Sequence, residues 1–137
     1  MSGKNQKIIV QGSQITILTK NEQDYISLTD MVRDIENGLA LIEKWLRNKN
    51  TIEFLGIWEG IYNPAFNSPE FDGIKNQAGL NRFALSVKQW VEKTGSIGII
   101  AKAGRYGGTY AHKDIAFEFA SWISPQFKLY LIKEFQR

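Results

Sequence analysis

Residues 27–50 carry two short amphipathic helical patterns with only about three residues between them. Ser27 has the chemistry of an N-cap, and Asp30 follows three residues later, where an acidic side chain favours a helix start. Asn37-Gly38 ends the first helix, and the second covers about residues 39–49. The apolar positions that face inward are Leu28, Met31, Val32 and Ile35, then Leu39, Ile42 and Leu46, with Trp45 at the edge. Two short helices joined this tightly predict a helix-turn-helix.

Alternating apolar and polar residues predict strands on both sides of these helices. Residues 7–10 and 14–19 flank Gly12-Ser13 and indicate an N-terminal hairpin, which a short extended piece at residues 25–26 follows. Residues 96–101 and 109–112 flank the segment KAGRYGG, whose glycines are typical of a hairpin tip. The chain therefore mixes helices and strands in a single α+β domain.

The remaining apolar patterns are helical. Thr51 is the expected cap of a third helix, with Phe54, Trp58, Ile61 and Tyr62 on one face, and a loop over residues 63–69 follows it. A short helix ends at Gly79, and Ser86 with Gln89 forms a capping box for a helix that Gly95 ends. The last two helices cover residues 114–123, with Ile115, Phe119, Trp122 and Ile123 inward, and the segment from Ser124-Pro125 onward. We expect one domain over residues 1–137, with residues 1–6 loose and the chain continuing beyond Arg137.

Composition excludes several kinds of chemistry. The 137 residues include no cysteine, so disulfides, thiol nucleophiles and zinc fingers are ruled out, and they include one histidine, His112. No apolar run is long enough to cross a membrane, and the N-terminus lacks the apolar core of a secretion signal. These features predict a cytoplasmic protein without a bound metal or cofactor.

The positive charge is concentrated in two stretches without acidic residues. The net charge is +3, and six of the seventeen cations fall within residues 44–50 and 97–113. These six are Lys44, Arg47 and Lys49 in the second helix, and Lys102, Arg105 and Lys113 in the second hairpin. Both stretches belong to elements that protrude, which favours an anionic partner such as nucleic acid.

The residue types in these stretches match the chemistry of duplex DNA. Arg47 and Asn48 have the side chains that read guanine and adenine in the major groove, and an α-helix fits that groove. The expected phosphate contacts are Lys44, Lys49, Lys102 and Lys113, to which His112 adds a candidate backbone contact. Arg105 and Tyr106 stand at the hairpin tip, where a wing tracks phosphates or enters the minor groove. A helix and a wing on one duplex make a winged helix-turn-helix.

Several segments resemble the KilA-N domain. The run GRYGGTYAHKDIAFEFASW is highly specific for that family, and DYISLTDMV, WLRNKNT and NRFALSVKQWVEKTGSIGII resemble its earlier blocks. The resemblance covers roughly residues 7–137. It implies a DNA-binding domain of phages, large DNA viruses and bacteria, related to the fungal APSES domain and often joined to a C-terminal effector domain.

The resemblance also implies the assignment of two elements. It makes the helix over about residues 39–49 the recognition helix and the hairpin over about residues 97–112 the wing of an APSES-like winged helix-turn-helix core. The glutamine that precedes Gly-Thr-Trp in APSES wings is missing here, where the matching positions are Gly107, Gly108, Thr109 and Tyr110. The base contact of the fungal wing is therefore not carried over. We expect double-stranded DNA binding in transcriptional regulation at the nucleoid, without catalysis.

Two alternatives remain open at the level of sequence. The basic surface also suits a protein-interaction module with an acidic partner. Asp114 and Glu118, four residues apart on a helix, have the chemistry to hold Mg²⁺ in a nuclease. A nucleotide-binding loop is excluded, because GRYGG has neither the GxGxxG nor the GxxxxGK(S/T) spacing of a phosphate-binding loop. A strand also follows it, where such a loop requires a helix.

Overall fold

The computed structural model describes residues 4–104 and 107–137, and Arg105 and Tyr106 lie outside these ranges. The described residues form five strands and seven helices: β1 (Lys4–Val10), β2 (Ser13–Lys20), β3 (Gln23–Ser27), α1 (Leu28–Val32), α2 (Gly38–Leu46), α3 (Lys49–Tyr62), α4 (Ser68–Gln77), α5 (Val87–Thr94), β4 (Ile99–Lys102), β5 (Gly108–His112), α6 (Lys113–Ile123) and α7 (Pro125–Phe135). The predicted α+β class is confirmed. Among the described helices, none combines the length and apolar character that crossing a bilayer requires.

All five strands belong to one antiparallel sheet in the order β1-β2-β3-β5-β4. The N-terminal hairpin turns at Gln11 and Gly12, both with positive φ, and the β4–β5 hairpin is the second one predicted. Strand β3 connects the two hairpins, because it pairs with β2 on one side and with β5 on the other, where Ile26 lies opposite Ala111. The second hairpin therefore extends from the sheet itself.

The hydrophobic core lies between the sheet and the helices. Helix α6 contacts β3 and β5, α7 contacts β1, and α1 contacts β2 and β5. The largest fully buried side chains come from both layers: Trp45, Trp90, Phe119, Ile15, Ile17, Ile26, Leu28, Leu46, Ile52, Leu55, Ile99 and Ile115. Burial of large apolar side chains from both layers is the main stabilising contribution and gives the two hairpins a rigid base.

Local capping signals act as predicted. The Ser27 side chain accepts a hydrogen bond from the Asp30 amide at 3.0 Å, and the Ser86–Gln89 capping box is complete. Gly95 ends α5 with φ +67°. These signals depend on nearest neighbours in the chain, which is why the sequence alone predicted them.

The two helices of the predicted helix-turn-helix are shorter than expected. Helix α1 ends at Val32, so five residues separate it from α2, and Ile35 is exposed instead of facing inward. The connection into α2 requires glycine at residue 38, because a Cβ there would lie 1.9 Å from the Val32 carbonyl oxygen. Helix α2 ends at Leu46 and not at residue 49.

The inward face of α2 is rotated from the predicted one. Leu39 is 64% exposed, whereas Trp45 is only 2% exposed and contacts Phe119 edge-on with ring centroids 5.0 Å apart. The large indole buries more apolar surface than Leu39, and helix α6 provides the partner that the sequence pattern did not reveal. The helix therefore presents Leu39 outward.

Six smaller expectations are also corrected. Helix α3 begins at Lys49 with Asn48 as its N-cap, so Thr51 is not the cap. Helix α4 begins at Ser68, inside the predicted loop, and β4 begins at Ile99 instead of residue 96. The exposed side chains include three that were expected inward, namely Ile61, Tyr62 and Trp122.

Candidate nucleic-acid interface

The tip end of the β4–β5 ladder, where Thr109 lies opposite Ala101, is joined to α1 through Thr29. The backbone amide of Thr109 donates to Thr29 Oγ1 at 2.9 Å. Gly108 has φ +153°, and a Cβ there would lie 2.8 Å from the same hydroxyl oxygen. A side chain at residue 108 would therefore disrupt this contact, so the glycine that the sequence placed in the hairpin is needed where the ladder meets the tip.

Thr29 also lines a shallow groove at the start of α2. The groove is formed by two short segments: Thr29, Val32 and Arg33 of α1, and Asn37, Gly38, Leu39 and Ala40 at the turn into α2. Thr29 thus borders both the tip end of the hairpin ladder and the first turn of α2. Helix α1 therefore contacts both elements that precede or carry the predicted basic residues, namely α2 and β5.

A buried carboxylate fixes the segment that leads into β4, the other strand of the hairpin. Glu59 of α3 is 1% exposed and accepts four hydrogen bonds. The donors are Asn63 Nδ2 at 2.8 Å, Ser96 Oγ at 2.9 Å, the Ile97 amide at 3.1 Å and the Gly98 amide at 2.7 Å. Within the described ranges no cation pairs with this carboxylate, so the hydrogen bonds alone compensate its burial.

Sequence reasoning missed Glu59 because the predicted inward face of α3 ran through Trp58, Ile61 and Tyr62. Glu59 occupies an inward position of α3 next to Trp58, where an apolar residue is expected. A charged residue within an otherwise buried stripe was the available signal. Tyr25 lies nearby and donates to the Ile97 carbonyl at 2.9 Å, and burial, with a smaller effect of Glu59, raises the pKa of Tyr25.

The first group of predicted contact residues surrounds the turn between α2 and α3. Lys44, Arg47, Asn48 and Lys49 are all exposed, but only Lys44 lies within α2. Arg47 is the C-cap of α2, and Asn48 is the N-cap of α3. The sequence predicted these residues on one face of a single helix. In the structure Lys44 lies in the last turn of α2, and Arg47 and Asn48 form the tight turn between α2 and α3.

The Asn48 side chain is occupied by the end of α2. Its Nδ2 donates to the carbonyl oxygens of Lys44 and Trp45, each at 3.3 Å, and it makes no capping bond to α3. The first-turn amides of α3 are thus left without a side-chain acceptor from Asn48. Lys49 and Asn50 lie at the same helix start, where the helix dipole adds positive potential.

The second group of predicted contact residues lies at the hairpin, and its members differ in exposure and in ion pairing. Lys102 is exposed at the end of β4 opposite Gly108, beside Lys88 of α5. Lys113 is half-buried, and its Nζ lies 3.2 Å from Asp114 Oδ1, so its charge is partly compensated. Arg105 and Tyr106 fall outside the described residues.

His112 is 5% exposed and belongs to the interior. Its Nδ1 accepts from the Asp114 amide at 3.2 Å as the N-cap of α6, so Nε2 carries the proton and donates to Gln23 Oε1 at 2.8 Å. Burial lowers the pKa of His112, and the neighbouring Asp114 opposes this effect. Both ring nitrogens are occupied, so His112 supports the start of α6 and has no ring nitrogen left for the backbone contact that the sequence predicted.

The carboxylate pair considered for Mg²⁺ has two separate environments. Asp114 accepts from Trp58 Nε1 at 3.2 Å and from Lys113, whereas Glu118 borders a cleft with Lys49 and Trp122. Burial alone would raise the pKa of Asp114, but these two hydrogen bonds and the neighbouring charges together lower it. No group of three potential metal-ligating side chains occurs among the described residues. Asp114 thus stabilises the start of α6.

An α+β domain with exposed cations at an interhelix turn and on a hairpin is of the kind that binds nucleic acid. The KilA-N domain family matches residues 8–137 of this chain. The chain is also similar to Protein kilA of Escherichia phage P1, with 47% identity over 49 residues, which span 33% of this chain and 18% of that relative. No solved structure gave a significant match.

Because the family match covers almost the whole chain, the chain belongs to the KilA-N domain family. The resemblance found in the sequence is therefore confirmed. This family is a family of DNA-binding domains, which together with the phage relative supports a DNA-binding regulatory role and points to a function other than catalysis.

Proposed function

We propose that this domain binds double-stranded DNA as a winged helix-turn-helix. Helix α2 and the α2–α3 turn enter the major groove, while the β4–β5 hairpin follows the backbone or enters the minor groove. The observation that carries the proposal is the position of Thr29, which borders both the tip end of the hairpin ladder and the first turn of α2. The role we propose is transcriptional regulation in a phage, virus or mobile element, with an effector domain elsewhere in the protein.

The contacts divide by chemistry. Lys44, Lys49 and Lys102 are exposed cations suited to phosphate, while Lys113 contributes less because it shares its charge with Asp114. Arg47 is the best candidate for reading a base, and guanine is the base that arginine recognises most often. Asn48 keeps a reduced role because its amide already binds the end of α2. For Arg105 and Tyr106 the proposal relies on their sequence position alone.

The start of α3 supports the phosphate contacts independently. A helix N-terminus presents backbone amides and positive dipole to an anion, and here Lys49 adds a full charge. Asn48 directs its side chain away from the α3 amides, which leaves them to an external acceptor. A phosphate at this point would lie on the same side of the domain as Arg47.

The proposal is tested by measuring duplex affinity at several salt concentrations. We expect log affinity to fall steeply with log salt, and Lys49→Gln or Lys102→Gln to make that slope shallower by about one each. Lys7→Gln is the matched control, because Lys7 is exposed on β1, at the sheet edge opposite to β4. It should leave the slope unchanged.

Two results would contradict the proposal. If no duplex binding is detected at low salt, the domain does not act on double-stranded DNA. If binding occurs but all three variants change the slope equally, the attraction is that of a generally basic protein and not of this surface. Capture of an acidic protein in place of duplex, weakened by salt and by the Lys49 and Lys102 variants, would favour the interaction module.

A further inference from the structure

Helix α2 presents one acidic residue on the surface that faces DNA in the proposed function. Leu39, Glu43 and Arg47 are exposed and follow each other at intervals of four residues, so they lie on adjacent turns of one helix face. Ile42 and Trp45 are buried on the opposite face. Glu43 is thus located between the groove at the start of α2 and the basic interhelix turn.

The stability of α2 does not explain this acid. Glu43 lies in the last turn of α2, where the negative end of the helix dipole disfavours a carboxylate. Arg47 is four residues further on, at a spacing that permits an ion pair, yet among the described residues Glu43 forms none. The carboxylate is therefore held on the surface without a protein partner.

Nonspecific DNA binding does not explain the acid either. A carboxylate that faces the duplex is repelled by the phosphates, so Glu43 weakens attraction to DNA of any sequence. Such a cost is offset only if the carboxylate accepts hydrogen bonds from a base. In the major groove the amino groups of cytosine and adenine are donors, but adenine N7, an acceptor, lies beside its amino group and repels a carboxylate.

We propose that Glu43 is a specificity-determining residue that accepts a hydrogen bond from the N4 amino group of a cytosine in the major groove. This assignment depends on the proposed DNA-binding function and makes it more specific. Arg47 lies about 6 Å further along the helix axis, which corresponds to roughly two base steps of about 3.4 Å. The preferred sequence should accordingly contain a cytosine close to the guanine that Arg47 reads.

The test is the selection of bound sequences from a random duplex pool, followed by affinity measurements on the preferred site and on single-base variants. The wild-type domain should prefer cytosine at one position by about 5- to 150-fold. Glu43→Gln should lose most of this preference and bind random duplex more tightly, because a negative charge has been removed. Glu43→Asp keeps the negative charge, so it should bind random duplex as weakly as the wild type. Because its side chain is shorter, it should lose part of the preference for cytosine.

Glu22→Gln is the matched control. Glu22 is exposed in the turn between β2 and β3, and the pairing of Tyr25 with His112 places this turn at the end of the sheet away from the hairpin tip. It should change neither base preference nor affinity. A Glu43→Gln variant with unchanged preference at every position overturns the assignment of Glu43 alone. Absence of duplex binding by the wild-type domain overturns the proposed function and this assignment together.

Discussion

Replacement of Glu59 by glutamine tests how strongly the buried carboxylate fixes the hairpin. Oε1 of Glu59 accepts from Asn63 and the Ile97 amide, and Oε2 accepts from Ser96 and the Gly98 amide. Glutamine has the same shape, but its NH₂ group must replace one of the two oxygens. Whichever oxygen is replaced, one backbone amide then faces another donor.

The magnitude follows from these contacts. A buried donor without a partner costs about 1–3 kcal/mol, and the remaining hydrogen bonds lose the strength that an ionised acceptor gives them. We therefore expect the free energy of unfolding to fall by about 2–4 kcal/mol. At roughly 3 °C per kcal/mol for a chain of this length, the midpoint of thermal unfolding should fall by about 6–12 °C.

Urea unfolding, with thermal unfolding as a second measurement, checks this value. Glu53→Gln is the matched control, because Glu53 lies on the same helix and is exposed, and it should change stability by less than about 0.5 kcal/mol. Amide hydrogen exchange at Ile97 and Gly98 should accelerate in Glu59→Gln more than exchange in β1. If the two variants have equal stability, the four hydrogen bonds do not support the hairpin and the reasoning is refuted.

Three further predictions concern α3 and His112. Gly60→Ala should raise the free energy of unfolding by about 0.5–1 kcal/mol, because Gly60 is an exposed helical residue with open space around it. Gly56→Ala should lower it, since a Cβ there would lie 2.1 Å from the Phe71 ring; an equal effect of the two variants in urea unfolding would contradict this packing. Burial lowers the pKa of His112, so its stabilising contribution is fully present above its ordinary value of about 6.5 and is lost as pH falls through the lowered folded-state value. His112→Asn, which keeps a capping acceptor, should therefore show a smaller decline in unfolding free energy between about pH 7.5 and pH 5 than the wild type, and an identical decline would show that His112 does not titrate in this way.

The sequence predicted the basic elements but not their environment. Counting charges by window identified Lys49 and Lys102, which the structure leaves exposed. The stretch without acidic residues begins at Lys44, directly after Glu43, so it gives no indication that Glu43 lies on the exposed face of α2. The count by window also included His112, whose burial depends on Trp58 and Tyr25, residues distant in sequence. Charge along the chain does not reveal which side chains reach the surface.

By itself, the sequence determined features that depend on near neighbours in the chain. The cap at Ser27, the capping box at Ser86 and the turn at Gly95 follow from bonds that span three or four residues. The motif around GRYGGTYAH was sufficient to identify the family, which the match over residues 8–137 confirms.

Only the tertiary structure decided which faces were buried and which elements met. Trp45 turns inward because Phe119 of α6 contacts it, and Leu39 is consequently exposed. The tip end of the hairpin ladder lies beside α1 because Thr29 binds the Thr109 amide, a contact that spans eighty residues. An amphipathic pattern specifies that a helix has an apolar side, but the choice between competing apolar side chains is made by the partner surface, which other parts of the chain supply.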